Sequence, residues 1–407
     1  MKKVKVEQIE SNLKCVHDYD TPVSSRKKKF EILKSTLGDS VAEHDVLGKI
    51  VPVFKNGNKK PIILLTKAIT YLGFPHPIFK KRIQIPLWFK EYSLCVLSAG
   101  MYDVKYLGIY YYHDLVVFVD FDKTKYLQGK SHNSSAHVCT NDLLQALNYN
   151  IFPKIDVNGN KITCITRNSL SDYLSSTDHE IKNPILNVLR SLNKCFPFNA
   201  WITAEKAIKE MYENHWPEWR QAEWAGWFLE YFYSSYITNN ALQNIITYTG
   251  LSNKSRKNGN FDFDLFFPEG KFYGDLKASD IHQEETLAND QDAVDQCIKS
   301  YGKFWYIIYE HDTIKDKEKT GHPMTNFRTG FISKIDGKPE RIGSYLNRMK
   351  HSIRFMHMMV IEINRFNSQI LRDFNQGHQP NGQNRKPKYK IKKSDIDNFV
   401  IYRYQPT

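Results

Sequence analysis

The sequence predicts a mixed α/β (α+β) protein in which helices flank a central mixed β-sheet. Two observations predict this class. Between Ile62 and Cys164 the chain alternates strand-like apolar runs with turn-forming stretches. Between Arg220 and Glu310 a helical pattern, a hairpin, a second helical pattern and a buried strand follow one another. Hydrophobic periods of about 2 and about 3.6 residues both occur, so strands and helices belong to the same fold.

The N-terminal half contains both kinds of pattern. Residues 1–60 are rich in lysine, and the densest cluster, Ser25–Lys29, is interpreted as a solvated helix face, with a phosphate contact as the alternative. Leu115–Val119 is a strand-like run, and Asp156–Asn160 carries an Asn-Gly pair typical of a hairpin turn. Helical spacing resumes near residue 178 and continues to residue 213. We place a boundary near residue 195, between an α+β region (1–195) and a second region (196–407).

The second region begins with a predicted helix over Arg220–Tyr236, because aromatic residues recur along one stripe of it. Asp290–Ser300 has the spacing of another helix. Lys303–Glu310 is apolar enough for a buried strand. We expect that strand to pair beside Phe272–Ser279 and to complete a small mixed sheet.

Two short strands, Phe261–Phe267 and Phe272–Ser279, flank a tight turn at Pro268–Lys271. With residues 269 and 270 at the tip, Asp264 faces Asp275 and Asp262 faces Lys277. Side chains alternate along a strand, so these four polar residues project from one face. The other face is then apolar and carries Phe263, Leu265, Phe267, Phe272 and Leu276.

Three carboxylates and one amine on a strand face have a specific chemical use. Two aspartates held side by side repel each other unless a cation lies between them, and hard oxygen ligands suit Mg²⁺ or Mn²⁺. Such an ion polarises a phosphodiester and lowers the pKa of a bound water. A lysine nearby can orient or deprotonate that water and offset developing charge. The alternative is a surface hairpin with solvated charges.

The order of these residues resembles the PD-(D/E)XK nuclease superfamily, and type II restriction endonucleases in particular. The motif is Asp264, ten residues, and then Asp275-Leu276-Lys277. Phe263 departs from the family pattern, because a proline often precedes the first aspartate. The resemblance implies a restriction-endonuclease-like fold and a catalytic region at 196–407 that ends in a basic arm. Residues 1–195 would then serve DNA recognition or a structural role.

The resemblance also implies the roles of individual residues. Asp264 and Asp275 would be metal ligands, with the main-chain carbonyl of Leu276 as a third and Lys277 as the water-activating residue. The leading helix often supplies another acidic residue in this family, and Glu230 is preferred over Glu223 because it lies deeper in the aromatic run. Asp262 remains an alternative first ligand. The expected cofactor is Mg²⁺, for which Mn²⁺ can substitute.

Composition limits the partners. The chain has 57 Lys and Arg against 44 Asp and Glu, a net charge of +13 and a pI near 9.2, which favours polyanions. No apolar run reaches the length of a membrane span, and the start lacks the apolar stretch of a signal peptide. Six scattered cysteines without CxxC spacing indicate reduced thiols in a cytoplasm. No Walker or GxGxxG loop follows a strand, so no nucleotide cofactor is expected.

Two basic loops are the predicted DNA contacts. Asn253–Asn260 precedes the hairpin, and the segment 375–390 combines amides, which can pair with adenine, with cations suited to phosphate or guanine. Ser344–Phe374 between them is predicted to be a helix, and Asp395–Tyr404 a strand. An ordinary mobile loop is the alternative for 375–390. The predicted DNA-binding residues are Lys254, Arg256, Lys257, Gln383, Asn384, Arg385, Lys386 and Lys388.

The resemblance as a whole implies a type II restriction endonuclease that hydrolyses double-stranded DNA at a specific sequence and leaves 5′-phosphates. Cutting at a palindrome implies a homodimer, because two-fold sites match two-fold proteins. Two alternatives remain. One is a repair or recombination nuclease that recognises a DNA structure. The other is a non-catalytic DNA-binding protein with a vestigial hairpin.

Overall fold

The computed structural model describes residues 4–57, 59–128, 134–156, 159–176, 183–250, 263–340, 349–365, 367–375 and 386–406. The chain divides into two compact units, Met1–Ile181 and Lys182–Thr407. The helix Pro184–Cys195 therefore belongs to the second unit, whereas the sequence analysis placed the boundary at its end. Asn183 caps this helix by accepting hydrogen bonds from the N–H groups of its first turn.

The first unit is mostly β-structure. Its strands are β1 (Lys5–Ile9), β2 (Cys15–Tyr19), β3 (Val41–Val46), β4 (Lys49–Phe54), β5 (Ile62–Ala68), β6 (Thr70–Tyr71), β7 (Lys80–Ile85), β8 (Asp103–Tyr112), β9 (Leu115–Phe121), β10 (Ser134–Cys139), β11 (Ile151–Ile155) and β12 (Lys161–Thr166). Its helices are α1 (Arg26–Leu37), α2 (Leu87–Ser98), α3 (Lys123–Gln128), α4 (Thr140–Tyr149) and α5 (Leu170–Ser175).

Seven of these strands form one sheet, in the order β11-β12-β9-β8-β5-β4-β3. β5 and β8 run parallel, and the other neighbours run antiparallel. Helices α1 and α5 pack on this sheet through a buried apolar cluster. Members of that cluster include Ile32, Leu33, Leu64, Phe118, Leu170 and Leu174. The sequence-predicted strand at Leu115–Val119 is confirmed, and the antiparallel pairing of β11 with β12 confirms the predicted hairpin.

The second unit alternates helices and strands. Its strands are β13 (Trp201–Thr203), β14 (Thr247–Tyr248), β15 (Leu265–Phe267), β16 (Phe272–Asp280), β17 (Glu285–Asp290), β18 (Lys303–Lys315), β19 (Lys350–Asn364), β20 (Leu371–Phe374), β21 (Lys388–Lys392) and β22 (Val400–Tyr404). Its helices are α6 (Pro184–Cys195), α7 (Ala204–Glu213), α8 (Trp224–Asn239), α9 (Gln291–Tyr301), α10 (Pro323–Asp336) and α11 (Lys393–Ile396).

The main sheet of this unit is mixed, as predicted. Its order is β13-β19-β18-β16-β15-β14, with β22 beside β19. β16 and β18 run parallel, and the other neighbours run antiparallel. A parallel pair requires a crossover connection, which α9 provides. The predicted pairing of the strand at Lys303 beside Phe272–Ser279 is therefore confirmed.

Strand β18 is covered on both faces. Phe304, Tyr306 and Ile308 belong to a buried cluster that includes residues of α9. Trp305 and Tyr309 project from the opposite face and pack against other aromatic rings. Burial on both faces explains why the sequence here is a continuous apolar run without alternation.

The predicted helix over Ser344–Phe374 is wrong. The described part of that segment is mostly the strand β19, and Leu371–Phe374 is the short strand β20. β19 lies in the interior of the sheet, and every residue from Met358 to Asn364 is buried. Because both faces of β19 are buried, apolar and polar residues do not alternate along it. The apolar residues happen to recur at helical spacing, and this spacing wrongly indicated a helix.

The end of the chain differs in part from its prediction. Asp395–Tyr404 was expected to be a strand throughout. The strand β22 begins only at Val400, and a short helix, α11, covers Lys393–Ile396. In the described part of the chain no helix is long and apolar enough to cross a membrane. The longest described helix, α8, has 16 residues, whereas a span needs about 20 apolar residues.

Candidate functional site

β15 and β16 form the predicted hairpin, and the chain reverses over Pro268–Lys271. The observed register matches the predicted one in all three paired positions, Leu265 with Gly274, Phe266 with Tyr273 and Phe267 with Phe272. A hydrogen bond from the N–H of Lys271 to the carbonyl of Pro268 closes the turn over 3.3 Å. Extended by one residue, this register brings Asp264 beside Asp275.

Gly274 allows the ring of Phe267 and the backbone of β18 to approach β16 closely. A Cβ atom at this position would lie 2.8 Å from Phe267 Cε2 and 3.0 Å from the carbonyl oxygen of Trp305. The ring centroids of Phe267 and Phe272 lie 5.2 Å and 4.9 Å from that of Trp305. This packing fixes β16 between β15 and β18, and so it fixes the position of the next residue, Asp275.

Two hydrogen bonds link the backbone segments that carry Asp264 and Asp275. The N–H of Asp264 donates to Asp275 Oδ1 over 3.3 Å, and the N–H of Leu276 donates to Asp264 Oδ2 over 2.9 Å. Each carboxylate therefore accepts a hydrogen bond from the backbone of the other strand. Asp275 is only 2% exposed. This reciprocal arrangement, called here the aspartate pair, holds both carboxylates at the end of the hairpin.

Phe263 does not lie on the face that the sequence analysis assigned to it. Its ring packs 4.5 Å from Phe304, whereas Phe267 and Phe272 pack on Trp305. Phe304 and Trp305 are adjacent in β18 and project from opposite faces of the sheet. The chain bends at Asp264, so strand alternation ends there and does not extend to Phe263.

Lys277 lies two residues beyond Asp275, on the same face of β16. Its ammonium forms an ion pair with Asp275 Oδ2. Burial by itself would lower the pKa of Lys277, but the negative charges of Asp275 and Asp264 outweigh burial and raise the pKa above the usual value of 10.5. Lys277 is therefore a charged ammonium at neutral pH.

Glu230 on α8 is brought toward the aspartate pair by Tyr248 of β14. The Tyr248 hydroxyl donates to Glu230 Oε2 over 2.6 Å. The charge of Glu230 contributes to the raised pKa of both Asp264 and Lys277. Helix α8 thus supplies a third carboxylate that interacts electrostatically with the aspartate pair.

Glu223, the alternative to Glu230, does not join this group. It precedes the first residue of α8 and has non-helical backbone angles, φ −88° and ψ 48°. The seven-residue spacing that would place both glutamates on one helix flank therefore does not apply. The charge of Glu223 instead acts on Lys350.

The electrostatics of the aspartate pair fit a divalent cation. Burial, followed by the charges of Asp275 and Glu230, raises the pKa of Asp264 well above its usual 3.8. Asp275 Oδ2 is buried, and its charge is balanced by the ammonium of Lys277. Carboxylate oxygens that repel each other are what Mg²⁺ or Mn²⁺ would bind.

The size of the ligand set limits the kind of ion. Among the described residues, no group of three or more His, Cys, Asp or Glu side chains is arranged to hold a metal. Mg²⁺ keeps several of its waters and commonly takes only one or two carboxylates from the protein. The aspartate pair, with the carbonyl of Leu276 as the predicted third ligand, fits that requirement.

Replacing Asp264 by Asn is expected to raise the melting temperature of the metal-free protein at pH 8. The raised pKa means that the folded state holds a proton that the unfolded chain loses at about pH 4. The stability that protonated Asp264 contributes is therefore fully present below about pH 4, and it declines as the pH rises toward the folded-state pKa of Asp264. Asn still accepts the N–H of Leu276 and carries no charge. We expect a gain of about 2–4 °C at pH 8 and none below pH 4.

Calorimetry in EDTA at both pH values measures this effect. Glu269→Gln is the matched control, because Glu269 is exposed at the tip of the same hairpin. It should leave the melting temperature unchanged at both pH values. An Asp264→Asn protein that melts below the parent at pH 8 would contradict the repulsion described above.

Most predicted DNA contacts lie outside the described residues, as does the alternative ligand Asp262. The exceptions are Lys386 and Lys388. Lys386 is exposed. Lys388 begins β21 and faces Asp290 of β17 and Phe374 of β20. The predicted contacts outside the described residues are Lys254, Arg256, Lys257, Gln383, Asn384 and Arg385.

Two tyrosines near the aspartate pair were not found from the sequence. Tyr248 is 18 residues from its partner Glu230, and no local pattern connects them. Tyr306 faces Asp275 in the parallel register of β16 and β18, and burial and the charge of Asp275 raise its pKa. The predicted pairing of the two strands is the only sequence signal that could have indicated Tyr306.

Comparison with known proteins matches one part of the chain. A family model described as Methylase-associated X1 matches residues 60–174. This stretch runs from β5 into α5, within the first unit, and does not include the aspartate pair. No curated protein and no solved structure gives a significant match.

Proposed function

We propose that this chain is a Mg²⁺-dependent endodeoxyribonuclease of the type II restriction class, with a PD-(D/E)XK site at the aspartate pair and Lys277. The observation that carries the proposal is that the carboxylates of Asp264 and Asp275 each accept a backbone hydrogen bond from the opposite strand, beside the Lys277 ammonium. The helix–hairpin–helix–strand order of α8, β15, β16, α9 and β18 supports it, because that superfamily has the same order.

The family match supports a restriction setting for the whole chain. A domain described as methylase-associated is expected beside a DNA methylase, and a restriction endonuclease acts together with such an enzyme. The net charge of +13 favours a nucleic acid as the substrate. The first unit and the basic arm at the C-terminus would recognise the DNA sequence. A homodimer would cut both strands of a palindrome.

Each residue of the site has a distinct part in this proposal. Asp264, Asp275 and the carbonyl of Leu276 would hold Mg²⁺, and Glu230 would bind a metal-bound water or a second position. Bound Mg²⁺ supplies Lewis-acid polarisation of the phosphodiester and lowers the pKa of the attacking water. Lys277 orients that water by donating hydrogen bonds and offsets the negative charge that develops on the phosphate oxygens.

Hydrolysis is an in-line displacement at phosphorus. The water oxygen forms the new bond to phosphorus as the bond to the 3′-oxygen breaks, which leaves a 5′-phosphate and a 3′-hydroxyl. Lys277 is charged at neutral pH in the metal-free protein. Its role is therefore assigned to positioning and charge stabilisation rather than to proton abstraction.

Cleavage of a mixed plasmid set in Mg²⁺, with EDTA as the control, tests the proposal. Discrete fragments whose sequenced ends share one short sequence and carry 5′-phosphates would support restriction cleavage. Cutting only at branched or single-stranded junctions would replace it with the repair or recombination alternative. DNA binding without any Mg²⁺-dependent cutting would refute the nuclease and leave a non-catalytic DNA-binding protein.

A further inference from the structure

The first unit contains a groove where two neighbouring strands separate. β4 pairs with β3 along its whole length. It pairs with β5 only through Val53 and Phe54, although β5 continues to Ala68 beside β8. The gap between the diverging strands opens into a groove of about 540 Å³, bordered also by the first turns of α1 and α2. This volume lies in the range of small-molecule and nucleotide pockets.

The groove is strongly basic. Arg26, Lys29, Lys49 and Lys67 line it, and no Asp or Glu does. Arg26 forms a salt bridge with Glu43. In the described part of the chain, no salt bridge joins any of the three lysines to a carboxylate. The charge of the three lysines is therefore not neutralised by a carboxylate and is available to an anionic ligand.

Two of these lysines, Lys29 and Lys67, also repel each other. Burial lowers the pKa of Lys29, and the positive charge of Lys67 lowers it further. An anion bound between the two ammonium groups would remove this repulsion. Phosphate groups provide such charge, and Lys is a common phosphate ligand.

The groove has an apolar side as well. Trp88 and Ile50 are 39% and 55% exposed at its rim. Leu64, Leu65 and Phe89 are buried and line its interior. The Lys49 ammonium lies 5.1 Å from the ring centroid of Trp88. An exposed tryptophan beside cations that have no carboxylate partner is the combination on which single-stranded nucleic acids stack.

We propose that this groove binds one unpaired nucleotide of a DNA strand, with the base against Trp88 and Ile50 and the flanking phosphates on Lys29, Lys49 and Lys67. Surface cations are enough to bind the phosphate backbone of a duplex. A concave apolar wall, in contrast, suits a base that is no longer stacked between its neighbours. This proposal depends on the proposed function in one respect, namely that the polymer bound is DNA. Leu64, Leu65, Lys67, Trp88 and Phe89 lie within the matched residues 60–174.

Fluorescence anisotropy of the full chain in EDTA tests this groove, with Asp275→Asn as the parent so that no cutting occurs. The probes are an oligothymidylate of about 12 nucleotides and a fully paired duplex of the same length. Trp88→Ala should weaken binding of the oligothymidylate by ~10-fold and leave duplex binding within about twofold. Lys67→Gln should also weaken it and reduce the slope of log affinity against log salt by about 0.7.

Matched controls separate the groove from general surface effects. Tyr19→Ala removes another exposed aromatic ring of this unit, and Lys55→Gln removes an exposed cation at the far end of β4. Both should bind the oligothymidylate like the parent. Trp88→Phe should retain most of the affinity, because Phe still stacks. Equal melting temperatures exclude misfolding as the cause of a loss.

Three results would overturn the proposal. The first is that Trp88→Ala binds the oligothymidylate as tightly as the parent does. The second is that Trp88→Ala loses as much affinity for the duplex as for the oligothymidylate. The third is that Lys55→Gln weakens oligothymidylate binding as much as Lys67→Gln does. Cleavage is not a readout here. A protein that never cuts DNA but shows the Trp88 effect disproves only the nuclease, and a cutting enzyme without the effect disproves only the groove.

Discussion

Replacing Asp275 by Asn is expected to lower the rate of DNA cleavage on the order of 10³-fold while DNA affinity is retained. Asn has the same shape and can still accept the N–H of Asp264, so the hairpin should keep its register. It carries no charge, and it therefore cannot help to hold a divalent cation or pair with the Lys277 ammonium. Single-turnover conversion of supercoiled to linear plasmid measures the rate.

Glu269→Gln removes a carboxylate from the exposed tip of the same hairpin and should cut at the parental rate. Binding is measured in EDTA, so that affinity and chemistry are separated. An Asp275→Asn protein that still cuts within about tenfold of the parent would exclude Asp275 as a metal ligand, and the site would have to be sought elsewhere in the chain.

Replacing Lys277 by Gln is expected to lower cleavage by about 10²–10⁴-fold. The charges of Asp275 and Asp264 keep Lys277 protonated, so a positively charged substitute should recover part of the loss. Lys277→Arg is therefore expected to cut faster than Lys277→Gln, since Arg also offers a cation and N–H donors. Rates are compared at one Mg²⁺ concentration that saturates the parent.

Lys271→Gln is the matched control, because Lys271 is an exposed lysine in the turn of the same hairpin. It should leave the rate unchanged. If the Arg and Gln variants of Lys277 are equally inactive, a role based on charge is wrong, and proton abstraction by Lys277 becomes the better explanation.

The hairpin illustrates what can be predicted from local sequence. Its register follows from the position of the four-residue turn, and all three paired positions agree with the prediction. Alternation of side chains then brings Asp275 and Lys277 to one face. The prediction failed at Phe263, because the chain bends at Asp264 and the strand period no longer applies.

The strand β19 illustrates the opposite case. Its sequence has apolar residues at helical spacing, yet it lies between β18 and β22 in the interior of the sheet. Burial on both faces selects apolar side chains at nearly every position. Sequence spacing alone therefore cannot distinguish such a strand from a buried helix.

The sequence by itself determined the hairpin and its register, the order of helix, hairpin, helix and strand, and the basic charge of the chain. These features depend on a tight turn, on side-chain periodicity and on composition, which are local properties. Only the tertiary structure decided that Glu230 rather than Glu223 lies near the aspartate pair, that Tyr248 holds it there, and that β4 and β5 diverge to form a groove. Each of these depends on contacts between residues far apart in the chain, and a local sequence pattern cannot predict how close such residues lie in space.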